Sequence, residues 1–249
     1  MVPQTLHPEL PQASILGIPV TLLDMPGTVA AIDQMISVGD PEMVVTANAS
    51  AVVLAHDDPA FRADVLGAKL ITVDGAGIQW ALERKGMNNI AKVAGVELVE
   101  QLCYLSSDKG YRIFLLGGEP GVAEIAAEKL RLKFPGCNIV GVRNGYFPAS
   151  DDDIVAQEVA EFNPNILLVG MGMPRQERFI MKTKHITGAP VQIGVGGSFD
   201  VLSNKAKRAP EAWQKLRIEW LWRALIQPSK FKKLAALPRF MLMVIRAKS

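Results

Sequence analysis

The chain has 249 residues, 49% of them hydrophobic, and a formal net charge of +2. That length and apolar content suit one large packed domain, alone or with an appendage, and exclude a globally disordered chain. Two cysteines, Cys103 and Cys137, have no CxxC or Cys/His spacing around them, which argues against a disulfide framework or a structural zinc site and points to a reducing compartment.

The N-terminal stretch MVPQTLHPELPQ carries neither a basic cluster nor an apolar core, so it reads as a Pro-rich lead-in and not as a secretion signal. Short runs of Val, Ile and Leu that end in Gly, Asn or Asp then alternate with helical patterns. Their order predicts a strand at 18–23, a helix at 26–38, a strand at 43–47, a helix at 49–55, a strand at 70–73 and helices at 78–84 and 95–106. A strand at 112–116, a helix at 122–134, a strand at 138–142, a helix at 154–161, a strand at 166–169, a helix at 176–185 and a strand at 191–195 complete the series. Strands this uniformly apolar belong to a mostly parallel sheet covered on both faces, so the expected class is α/β, a Rossmann-like doubly wound sheet.

Composition changes near residue 204. Of the 27 Lys and Arg, twelve fall in 205–249, where only Glu211 and Glu219 oppose them, a local excess of +10; the remaining 15 face 23 acidic residues in 1–204. Trp213, Trp220 and Trp222 lie in the same tail with Phe231 and Phe240, and Pro210 and Pro228 bracket a helix expected at 211–227. Cations interleaved with aromatics suit an anionic, partly apolar surface. The apolar stretch 234–245 is interrupted by Pro238 and Arg239 and is shorter than the roughly 18 to 20 residues that span a bilayer. The expected division is therefore a Rossmann-like domain over 1–204 and a basic, membrane-associating appendage over 205–249, lying on the membrane without crossing it.

Ligands of open α/β sheets sit at the carboxyl ends of the strands. Asp74 follows the strand 70–73 and opens the turn Asp74-Gly75-Ala76-Gly77, a position that suits a general base or, equally, a helix N-cap. Thr46 and Asn48 lie two apart at a strand end and can offer a hydroxyl and an amide to a sugar; Asn48 can instead cap the next helix. Gly117-Gly118-Glu119-Pro120-Gly121 is a GGxxG turn and not GxGxxG, and the following strand ends in Arg143 and not in an acid. A nicotinamide-dependent reductase nevertheless stays open as a rival. Asp151-Asp152-Asp153 contains a DxD pattern but begins a helix, where an acidic first turn satisfies the helix dipole. His7, His56 and His185 have no ligand-like spacing, so no metal site is expected. Gln176, after Gly172-Met173-Pro174-Arg175, can donate to phosphate or sugar oxygens, and the turn holding Gly196 and Asp200 closes the last strand. Trp213, Arg217, Trp220 and Arg223 recur at helical spacing, for docking on the body, for ligand contact, or for both. A non-enzymatic module that binds nucleic acid or membrane through the tail is the other rival.

In order, Thr46-Ala47-Asn48, Asp74-Gly75-Ala76-Gly77, Leu115-Leu116-Gly117-Gly118, Asn144-Gly145-Tyr146-Phe147, the stretch from Gly172 to Glu177, the stretch from Gly194 to Asp200, and Arg208-Ala209-Pro210 leading to Glu219-Trp220-Leu221 resemble the WecG/TagA/CpsF glycosyltransferase family. The similarity runs from about residue 15 to 240, nearly the whole chain. It implies an inverting enzyme that moves a sugar, of N-acetylmannosamine type, its uronic acid or glucose, from a UDP donor to a polyprenyl-pyrophosphate-linked saccharide in bacterial cell-surface or exopolysaccharide synthesis. By the same resemblance Asp74 is the base, Thr46 and Asn48 touch the donor sugar, and Gln176 lines the pocket. Gly117, Gly118, Gly196 and Asp200 join them in the donor site, and Lys92, Arg217 and Arg223 meet phosphate or acceptor. Where the family has Arg-Val-x-Gly-x-Asp this chain has Lys92-Val93-Ala94-Gly95-Val96-Glu97, which keeps the charge but loses the bidentate fork. The implied protein has no resident cofactor and no nucleic-acid partner, is compatible with a homo-oligomer, and sits in the cytoplasm against the inner face of the membrane.

Overall fold

The computed structural model of the protein describes residues 10–206, Pro210, Trp213 and residues 236–247. An antiparallel hairpin, β1 (Gln12–Ile15) and β2 (Ile18–Thr21), forms one edge of an eight-stranded sheet. Next to β2, and parallel to it, come β4 (Leu70–Val73), β3 (Glu42–Ala47), β8 (Val191–Gly194), β7 (Ile166–Gly170), β5 (Ile113–Gly117) and β6 (Ile139–Arg143). The expected Rossmann-like parallel sheet is the fold observed.

Two helical layers cover it. Helices α2 (Ala49–Asp57), α3 (Pro59–Leu66), α4 (Ala76–Arg84), α7 (Asp152–Glu161), α8 (Arg175–Thr187) and the C-terminal α10 (Ala236–Arg246) send their apolar stripes into one core. Helices α1 (Met25–Val38), α5 (Gly95–Lys109), α6 (Val122–Lys133) and α9 (Ser198–Leu202) build the other. Strand alternation feeds both: Met43, Val45 and Ala47 face the first layer and Val44 the second. Local signals start and stop the helices. Asp24 Oδ1 accepts from the Gly27 amide at 2.8 Å ahead of α1, and Gly39, left-handed at φ 87°, ends it.

Three elements were not anticipated. β1 is four residues long and follows the Pro-rich lead-in, with its turn set by Leu16 and Gly17 at positive φ. α3 begins two residues after α2 ends, and Asp58 both closes the first helix and caps the second. α9 is a five-residue helix inside a glycine-rich turn. Most of the helix expected at 211–227 lies outside the described residues.

Candidate active site at the carboxyl ends of the strands

The chain leaves β3 for α2 in one layer and leaves the neighbouring β8 for α9 in the other, and this divergence opens a crevice above the two strand ends. Thr46 ties its floor together, donating its hydroxyl proton to the Gly194 carbonyl at 2.8 Å. Its oxygen keeps lone pairs for an incoming hydroxyl. Asp74 continues the β3–β4 ladder, its amide donating to the Ala47 carbonyl at 2.8 Å, and it is half-buried beside Asn48. The N-cap residue of α4 is Gly75, at φ 91°, one position after Asp74. Asn48 does act as a cap: its Oδ1 accepts from the Ala51 amide at 3.1 Å at the start of α2. Lys92 enters the same wall, because the next amide, Val93, donates to the Val73 carbonyl at 2.8 Å. α5 then starts at Gly95, where a Cβ would stand 3.2 Å from Ser198 Oγ and 3.7 Å from Thr46 Oγ1. Gly95 and Ser198, not named as site residues from the sequence, thus meet beside Thr46; the Lys92–Glu97 and Gly194–Asp200 stretches were the signals pointing there.

The opposite wall is built from backbone. Gly117 has φ 148°, and a Cβ on it would come within 2.5 Å of the Gly170 carbonyl group on β7. The Gly118 amide donates to the Gly170 carbonyl at 3.0 Å, and the Gly145 amide to the Gly118 carbonyl at 2.9 Å, so three turns interlock. Gln176 is buried beneath them. Its Oε1 accepts from the amides of Gly172 at 3.1 Å and Gly196 at 3.0 Å, and its Nε2 donates to Glu177 at 2.8 Å. Those two glycine amides are therefore engaged by Gln176. The side chain braces the turns after β7 and β8 from below, and Gly194 leaves the space it fills. Asp200 is half-buried in the first turn of α9, and its carbonyl accepts from the Ala206 amide at 2.8 Å.

The acidic run behaves as a helix start. Asp152 is buried in the first turn of α7 and pairs with Arg175, while Asp153 pairs with Lys182 at 2.9 Å. Arg175 also stacks on Phe147, 5.1 Å from the ring centroid, with Arg143 at 5.0 Å. A recess of about 860 Å³ between α3, α7 and α8, lined by Asp64, Asp152, Arg175, Arg178 and Lys182 among others, lies off the crevice. Among the described residues no group of three His, Cys, Asp or Glu could hold a metal ion, and no helix is long and apolar enough to cross a membrane.

Arg217 and Arg223 lie outside the described residues. Beyond residue 204, two described ion pairs tie the chain to the body. Lys205 bonds Glu119, in the GGxxG turn, at 2.5 Å, and that carboxylate holds the lysine above its usual pKa. On α10, Arg239 forms two bonds to Asp57 at the end of α2, at 2.5 and 2.6 Å. The guanidinium lowers the Asp57 pKa and is itself raised.

The model of the Glycosyl transferase WecG/TagA/CpsF family matches residues 13–249 of this chain. The chain belongs to that family. A curated relative from Bacillus spizizenii is 32% identical over 203 residues, covering 82% of this chain and 78% of the relative. That protein is named an N-acetylglucosaminyldiphosphoundecaprenol N-acetyl-beta-D-mannosaminyltransferase. The chain is accordingly a glycosyltransferase, and the reductase and the inert membrane module are set aside.

Proposed function

We propose that this glycosyltransferase moves a sugar of the N-acetylmannosamine type from a UDP donor to a polyprenyl-diphosphate-linked saccharide, with inversion and with Asp74 as the base. The observation that carries the reading is the placement of Asp74 at the end of β4, half-buried beside Asn48 and within the crevice that Thr46 floors. The named activity of the Bacillus relative supports the donor and acceptor classes.

In this mechanism the acceptor hydroxyl oxygen attacks the anomeric carbon from the face opposite the nucleotide. The bond to the UDP oxygen breaks with its electron pair, and the hydroxyl proton passes to the Asp74 carboxylate. Thr46, its own proton spent on Gly194, accepts from a donor-sugar hydroxyl, and the Asn48 amide nitrogen donates to another. Charge developing on the diphosphate is met by the N-termini of α4 and α5, whose N-cap residues make no side-chain bond to the first amides, together with Lys92, Arg217 and Arg223. Gln176 holds the turns on which the nucleotide rests, with Gly117, Gly118, Gly196 and Asp200 lining them. No resident cofactor is required.

The appendage over 205–249 places the site against the anionic inner face of the bacterial membrane, where the lipid-linked acceptor resides, in a cell-envelope polysaccharide pathway. Leu242 and Ile245, exposed on α10 beside Arg246, fit that contact.

Asp74→Asn tests the base. Turnover is expected to fall about 10²- to 10⁴-fold, with the UDP-induced rise in melting temperature retained. A rate near that of the native chain would remove Asp74 from the role. A screen of UDP-sugars against a synthetic polyprenyl-diphosphate saccharide, read by mass spectrometry, tests the substrates.

A further inference from the structure

The turn that carries Asp74 rests on a helix from the far end of the chain. Gly77 is the second residue of α4, and a Cβ there would stand 2.9 Å from Leu237 Cδ1, 3.0 Å from Ala49 Cβ and 3.7 Å from Phe240 Cε1. The starts of α2 and α4 and the first half of α10 therefore meet at one point, three residues from the proposed base. Phe240 has no exposed surface and belongs to the same core as Ala49, Ile78 and Ala81. Arg239, its neighbour, makes the double bond pair to Asp57 that fastens α10 to α2 a second time.

Gly75 brings no side chain to the first amides of α4, and glycine at positions 75 and 77 leaves the backbone few steric constraints of its own. Packing adds a tertiary constraint: Leu237 and Ala49 close on the glycine notch, and the fully buried Phe240 ring, in van der Waals contact beside them, favours one placement of the helix start.

We propose that Phe240, packed against the notch left by Gly77, is a positioning residue for the Asp74 carboxylate. The last helix then sets the geometry of the base, apart from anything the basic tail does at a membrane. The inference rests on Asp74 being the base.

The test is Phe240→Ala in the full-length protein, assayed with UDP-N-acetylmannosamine and a synthetic polyprenyl-diphosphate N-acetylglucosamine. A misplaced base should lower kcat by about 10- to 100-fold, with KM for the donor and the UDP-induced melting shift unchanged. Sedimentation with anionic vesicles should also be unchanged, because no cation is removed. Phe240→Leu should restore most of kcat, and Gly77→Ala, which drives Leu237 out of the notch, should lower it in the same way if Phe240→Ala fails to fold. Val159→Ala, a buried truncation in α7 away from the crevice, supplies the control for lost stability and should leave kcat per folded enzyme intact. A folded Phe240→Ala enzyme with kcat within about twofold of native, or a Val159→Ala enzyme that loses as much, overturns the proposal. Low turnover in Asp74→Asn with full turnover in Phe240→Ala removes this inference alone; full turnover in both removes the base assignment as well.

Discussion

The two walls of the crevice hold their positions by different means. On the β3–β4 side the residues assigned to chemistry are the polar residues Thr46, Asn48 and Asp74, held among other contacts by the Thr46 bond to Gly194, the Asn48 cap of α2 and the Asp74 amide on Ala47. On the β5–β7–β8 side the anchoring is backbone against backbone, at Gly117 over Gly170 and at Gly145 over Gly118, with one buried amide, Gln176, bonded beneath two of the turns. The wall proposed to meet the sugar and its diphosphate works through side chains and helix starts, whereas the wall proposed to carry the rest of the nucleotide is shaped by what its glycines cannot contain. The first should therefore answer substitution in rate and the second in stability.

Gly117→Ala is the strongest way to break that contrast. Its methyl group would occupy space 2.5 Å from the Gly170 carbonyl carbon, at a φ of 148° that L-residues rarely adopt. Backbone strain and overpacking together should cost roughly 3 to 5 kcal/mol, enough to unfold a marginal domain. Urea titration followed by circular dichroism reads it directly, and a midpoint like that of the native chain would mean that β5 and β7 can part without penalty. Gln176→Ala should come next. It leaves the Gly172 and Gly196 amides without the acceptor they now share, at a cost of about 2 to 4 kcal/mol. Because the loss loosens both turns at once, UDP binding by calorimetry should weaken alongside the melt. A variant of native stability with weakened UDP binding would make Gln176 a ligand contact and not a brace, and native behaviour in both would remove both roles.

Strands β3, β4, β5, β7 and β8 were legible because they are buried on both faces, and an uninterrupted apolar run is the sequence form of that burial. The candidate site could be located for a related reason: ligands of an open α/β sheet gather at strand ends, and Thr46 and Gly117 close β3 and β5 while Asn48, Asp74 and Gly196 come just after strands. What linear sequence could not carry was the partner of each group. Gln176 reads as a donor to phosphate from its place at a helix start, yet its oxygen serves two glycine amides, one of them twenty residues away. Gly77 reads as a spacer in a turn, and only the folded chain brings Leu237 and Phe240 against it. β1, α3 and α9 failed for a local reason, being short elements whose boundary residues double as turn or cap residues of their neighbours. The acidic run 151–153 was read correctly as the first turn of a helix, although the depth of Asp152 and its pairing with Arg175 depend on α8.

Asn48 makes the gentlest test of the contrast, because it holds two jobs on one side chain. Its Oδ1 caps α2, and its amide nitrogen is the group assigned to the donor sugar. Asn48→Ala removes both, and the cap alone is worth about 1 kcal/mol, so melting and turnover should decline together. Asn48→Asp keeps an acceptor at the N-cap, and a carboxylate there gains about 0.3 to 1 kcal/mol from the helix dipole, so stability should hold or rise slightly. The same change deletes the donor and sets a second negative charge beside Asp74, so kcat/KM for the UDP-sugar should fall. Thermal melts and steady-state kinetics on the two variants separate the roles. If Asn48→Asp kept the native kcat/KM, the residue would be a cap alone, and sugar recognition on this wall would rest with Thr46, whose bond to Gly194 is independent of α2.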